Sequence, residues 1–115
     1  MKADFIRDFC LSLPDVQEDI KWGHDLCFLI NKKMFCITGI EVDFGVTIKV
    51  KDEEFDELVS KKGIIPAPYL ARYKWIFIDD ANALNASEWK YYVGQSYELI
   101  KSKTSMTAKK KKKKK

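Results

Sequence analysis

Histidine occurs once, as His24, and the three cysteines Cys10, Cys27 and Cys36 contain no C-x-x-C pair. A zinc knuckle needs closely spaced ligand pairs and a disulfide framework needs an even set, so neither is indicated. All three cysteines sit inside apolar patterns, where a thiol behaves as a small hydrophobe, and they read as buried free thiols. Long apolar runs are also missing. The longest, 26–30 and 34–37, fall far short of the roughly 18 to 20 residues that cross a bilayer. Residues 1–8 carry charges every few positions where a secretory signal needs an unbroken apolar stretch, so a cytoplasmic address and no membrane partner are expected. No G-x-G-x-x-G, Walker A or H-E-x-x-H pattern occurs, which removes the usual support for phosphate-cradling loops and zincin chemistry.

What is present is a globular composition, 46% apolar and 13% aromatic in 115 residues. That length suits one domain able to bury roughly two thirds of its unfolded surface. The formal charge of +4 misleads. Residues 109–115 are all lysine, and without them 14 Lys and Arg face 17 Asp and Glu, leaving a body near −3. A single domain over 1–104 is therefore expected, followed by a disordered lysine-rich tail over 105–115 whose own repulsion opposes folding.

Phe5, Ile6, Phe9, Cys10 and Leu13 recur at helical spacing, and Pro14 stops that helix. Between Glu18 and Lys51 the period changes. Short β-branched and aromatic runs at 18–22, 26–30, 34–39 and 44–50 predict an antiparallel meander, with Asn31-Lys32 as a tight hairpin turn. Asp52 is the expected N-cap of a helix over 53–62, and Gly63 its left-handed stop. The stretch 64–73 holds Pro66 and Pro68 and reads as a loop into a strand over 74–79. Asn85-x-x-Glu88 opens a last helix with an apolar face from Trp89 to Ile100, ending near Ser102. The fold class is α+β: an antiparallel sheet of about five strands against three helices, in the order α-β-β-β-β-α-β-α.

A hydrolase or transferase needs a nucleophile beside a base, and a lone His24 next to Asp25 reads as a turn residue. No enzyme, cofactor or resident metal is therefore expected. Asp4, Asp8, Asp15, Glu18 and Asp19 form a candidate acidic ridge for a hard cation, but such clusters are more often solvated faces. A richer constellation is Lys33, Lys49, Arg72 and Lys74, interleaved with Tyr69, Tyr73 and Trp75, because cations beside aromatics can meet phosphates and stack on bases.

Five motifs carry a family resemblance: Leu11-Ser12-Leu13-Pro14 with Glu18, Lys21-Trp22-Gly23, Lys33-Met34-Phe35, the run from Pro66 to Trp75, and Ser96-Tyr97-Glu98-Leu99. Together they resemble the MmcQ/YjbR-like proteins over about Asp4 to Lys103. That resemblance implies a frataxin/CyaY-like layout with β-hairpin wings, a bacterial origin and a DNA-binding role. It implies nucleic-acid contacts at Lys33, Lys49, Arg72, Lys74 and Trp75. The turn Asn31-Lys32 departs from the glycine common in relatives. The expected function is a non-catalytic, monomeric DNA-binding module. The alternatives are a protein or small-ligand module using the Pro68 to Trp75 loop, and frataxin-like metal binding on the acidic ridge.

Overall fold

Asn31 and Lys32 both take left-handed backbone, with φ of 53° and 68°. Two successive positive φ values define the tight turn whose twist matches paired antiparallel strands. In the computed structural model, which describes residues 2–21, 25–39, 45–68 and 70–113 with side chains from residue 4 to 103, this turn joins β2 (Asp25–Ile30) to β3 (Lys33–Gly39). Trp22, Gly23, His24, Phe44 and Tyr69, all part of the sequence reading, lie outside the described residues.

The register of this hairpin slips by one residue: Leu29 faces Met34 while Phe28 faces Cys36. The extra residue on β3 is Phe35. Adjacent strand residues normally point to opposite faces, yet Phe35 and Cys36 are both fully buried in the core, which the bulge permits.

β1 (Gln17–Lys21) flanks β2, and β4 (Val46–Lys49), β6 (Trp75–Ile78) and β5 (Ile64–Pro66) extend the sheet beyond β3. All pairs are antiparallel, in the order β1-β2-β3-β4-β6-β5. The sheet therefore has six strands rather than about five. The addition is β5, in the segment expected to be a loop. Pro66 can end it because an edge strand has a side on which a missing N–H costs nothing.

Three helices complete the α+β fold: α1 (Lys2–Ser12), α2 (Asp52–Val59) and α3 (Ala86–Lys113). Ile6 and Cys10 of α1, Phe55 and Leu58 of α2, and Trp89, Val93, Tyr97 and Ile100 of α3 share one core with the strand row Phe28, Cys36, Ile48 and Ile76. Alternate residues of the same strands, Ile37, Thr47 and Phe77, are only half-buried. The three cysteines are free and buried. The Cys36 thiol is pushed well up by its hydrogen bond to Cys10 and by burial, and burial above all takes Cys27 to about 11.

Apart from α2, which ends at Val59 with Ser60 as its C-cap where Lys62 and Gly63 were expected, helix ends follow local chemistry with two further departures. The α3 start is a reciprocal capping box: the Glu88 N–H donates to Asn85 Oδ1 at 2.8 Å and the Asn85 N–H to Glu88 Oε1 at 2.9 Å. At α2 the N-cap is Lys51, not Asp52, and no side chain caps it. Asp52, Glu53 and Glu54 instead fill the first turn, where the helix dipole favours negative charge. The second departure is the end of α3, whose helical backbone runs on to Lys113 although its apolar face stops at Ile100. Lysine is a good helix former, and propagation from an existing helix needs no new nucleus.

α3 is tied to the sheet by side chains that enter the strand ladder. The Lys49 N–H donates to Ser96 Oγ at 3.0 Å, and the Ser96 hydroxyl donates to the Phe35 carbonyl. The Lys51 N–H donates to Gln95 Oε1 at 3.0 Å. Tyr97 packs edge-on against Phe35 and donates its hydroxyl to the Pro14 carbonyl at 2.7 Å. These bonds fix the end of the sheet where the β2–β3 turn, the exit of β4 and the entry of β6 lie together.

Candidate ligand groove

At that end of the sheet the strands leave a groove of about 750 Å³. Asn31, Lys33 and Met34 enter it from the β2–β3 hairpin, Lys49 from the end of β4, Tyr73 and Trp75 from the entry to β6, and Ile100 and Lys103 from α3. No carboxylate, histidine or thiol is in this lining among the described residues. Trp75 is only 9% exposed and forms floor rather than platform. Tyr73, by contrast, is 53% exposed.

Of the three lysines in the lining, Lys49 is held by a hydrogen bond to the wall of the groove. The Lys49 ammonium donates to the Tyr73 carbonyl, which holds it on the aromatic side of the groove. Burial, and then the nearby charge of Lys103, keep its pKa below the ordinary lysine value, with Asp52 opposing. Two ammonium groups that disfavour one another in a partly desolvated setting favour an anion between them.

Of the five sequence-predicted contacts, Lys33, Lys49 and Trp75 meet in the groove; Arg72 and Lys74 do not line it. The Arg72 guanidinium lies 5.1 Å from the centre of the Tyr73 ring, so it flanks the groove through that tyrosine. Lys74 has φ 67°, closing the short 3-10 turn Ala71–Tyr73. That left-handed residue breaks the strand alternation and sends its ammonium to α2, 4.8 Å from the centre of the Phe55 ring. The groove's additional residues are Asn31, Met34, Tyr73, Ile100 and Lys103. Lys103 was readable only as the continuation of the Ser96 and Ile100 face of α3, at seven and three residues' spacing.

A second concavity, about 510 Å³, is lined by Arg7, Glu18, Asp19, Ile20 and Leu26. It contains two members of the acidic ridge, Glu18 and Asp19, and each carboxylate lies beside a cation of the chain. Arg7 Nε donates to Glu18 Oε1 at 2.9 Å and Nη2 to Oε2 at 2.8 Å. This bidentate pair raises the Arg7 pKa and lowers that of Glu18. Lys21 lies 3.4 Å from Asp19. Among the described residues no three His, Cys, Asp or Glu side chains converge as a metal site would require.

No helix among the described residues is long and apolar enough to cross a membrane. Two solved structures are among those that share the fold. One is protein DR2400 of Deinococcus radiodurans, described as a DUF419 domain, with TM-score 0.76, 24% identity, and coverage of 85% of this chain and 77% of that one. The other is a protein from Pseudomonas syringae with TM-score 0.69, 24% identity, and coverage of 86% and 97%. No curated protein matches the sequence. The YjbR family model matches residues 11–99, more than three quarters of the chain, and the protein belongs to that family.

Proposed function

We propose that this chain is a nucleic-acid-binding module that grips phosphates at the turn end of its sheet and performs no chemistry on them. The observation that carries this reading is the convergence of Lys33, Lys49 and Lys103 around an aromatic and apolar floor. Local charge of one sign, not net charge, is what a phosphate meets at contact distance. A body near −3 is therefore compatible with a small basic site. A catalytic reading has less support, because no described acid, histidine or thiol lines the groove beside the lysines.

The experiment is fluorescence anisotropy of a labelled DNA across a salt series, using the full chain and a variant with residues 109–115 changed to glutamine. Binding by the neutral-tail variant is expected, with a log–log salt slope that falls by about one on Lys49→Ala, as loss of one phosphate contact requires. Binding that disappears with the tail charges would assign the affinity to the lysine run and remove the proposal.

A further inference from the structure

Resting on that reading, we infer that the groove takes an unpaired nucleotide of a single strand, its base against Tyr73 and its phosphate among Lys33, Lys49 and Lys103, in preference to duplex. Three observations converge on this.

The first is shape. A duplex offers a convex rod of phosphates, which lysines on a flat or protruding surface can follow. Here the lysines stand around a concavity of about 750 Å³. That volume falls in the range of sites enclosing a small organic ligand, and it is wasted on a rod that cannot enter.

The second is the division of the lining. Met34, Trp75 and Ile100 form an apolar floor, and Tyr73 stands 53% exposed at its side. An anion alone has no use for such a floor. A base has one, since every base carries a flat π-face that stacks on tyrosine irrespective of sequence. Paired bases have those faces occupied by their neighbours, so only an unpaired nucleotide can present one.

The third is that cation and ring are tied together. Lys49 donates to the backbone carbonyl of Tyr73 itself, and the Arg72 guanidinium lies 5.1 Å from the centre of the same ring. The ammonium expected to meet the phosphate is thus fixed relative to the ring expected to meet the base. A mononucleotide and a nucleotide within a strand share this chemistry, and a strand adds a neighbouring phosphate for Arg72 beside the groove.

The test uses the neutral-tail full-length chain at one fixed salt concentration, with a labelled dT12 strand, a labelled blunt-ended duplex of two strands and AMP as competitor. The strand is expected to bind at least about tenfold more tightly than the duplex, and Tyr73→Ala to lower strand affinity about tenfold. Tyr73→Phe should restore it, and Tyr91→Ala, which removes a tyrosine 51% exposed on another surface of α3, should change nothing. Duplex binding as tight as the strand, with Tyr73→Ala silent while Lys49→Ala still weakens binding, overturns this inference and leaves the phosphate reading standing. Silence of Lys49→Ala overturns both. AMP competing as effectively per molecule as unlabelled dT12 overturns the strand and makes the ligand a free nucleotide.

Discussion

At the β1 edge Arg7 and Glu18 cancel one another through two hydrogen bonds, whereas at the turn end of the sheet Lys33, Lys49 and Lys103 converge with no acidic side chain in the described lining. Both places are concave, both mix apolar and charged residues, and they differ in whether carboxylates stand in the lining beside the cations. Paired charges on a surface contribute little and ask for nothing further. Like charges gathered over an apolar floor repel one another, and an anion brought from outside relieves that repulsion.

Charge reversal should separate the two sites most sharply. Lys49→Glu is expected to weaken DNA binding by roughly ten- to a hundredfold, since a hydrogen bond to a charged group contributes about 1.5–3 kcal/mol. Glu18→Lys, at the other concavity, should leave it within about twofold. A titration at low salt decides this, and a gain from Glu18→Lys as large as the loss from Lys49→Glu would make the effect one of net charge rather than of the groove.

Next in size is Ser96→Ala. Ser96 is fully buried, accepting from the Lys49 N–H and donating to the Phe35 carbonyl. Its removal leaves two buried backbone groups unpaired, and a loss of about 1–3 kcal/mol in urea unfolding is expected. No substitution of Glu18 should approach that.

A smaller effect is expected from pH. Only the ammonium form of Lys49 attracts phosphate, and burial with Lys103 lowers its pKa, so affinity should fall at a lower pH than ordinary lysines would dictate. Stability moves the other way: the native state binds a proton less readily than the unfolded chain there, so stability rises through the window below the ordinary lysine value. Lys49→Met should abolish both limbs.

The smallest effect belongs to Glu18→Gln. The Glu18 pKa is lowered, chiefly by its hydrogen bond to Arg7. Any stability it adds is present above the ordinary carboxylate value and lost as pH falls through the lowered one. With both side chains largely in solvent, thermal melts at pH 7 should nearly superimpose.

Much of this fold was legible because its signals are local. Asn31 announces the hairpin, and Asn85 and Glu88 cap α3 between themselves. β5 was missed because three residues ending in proline carry no period, and their pairing with Ile76 to Ile78 is visible only once the chain has folded. The same distinction governs the groove. Lys33 and Lys49 could be read from a turn and an alternating strand, while Lys74 lies outside the groove because one left-handed residue turns its side chain to α2. Lys103 lies beyond the last core residue of α3, where the pattern in the sequence had already faded.

The hydroxyl of Ser96 has a mechanical meaning beyond its two bonds. Residues 96, 100 and 103 lie on one side of α3, and Lys103 is about 10 Å further along the axis at 1.5 Å per residue. A helix can roll on an apolar surface, because methyl groups resist rotation only weakly, but it cannot roll while one of its hydroxyls is locked between two strands. Ser96 therefore acts as an indexing pin: it sets the rotational angle of α3, and with it the direction in which Lys103 meets whatever enters the groove.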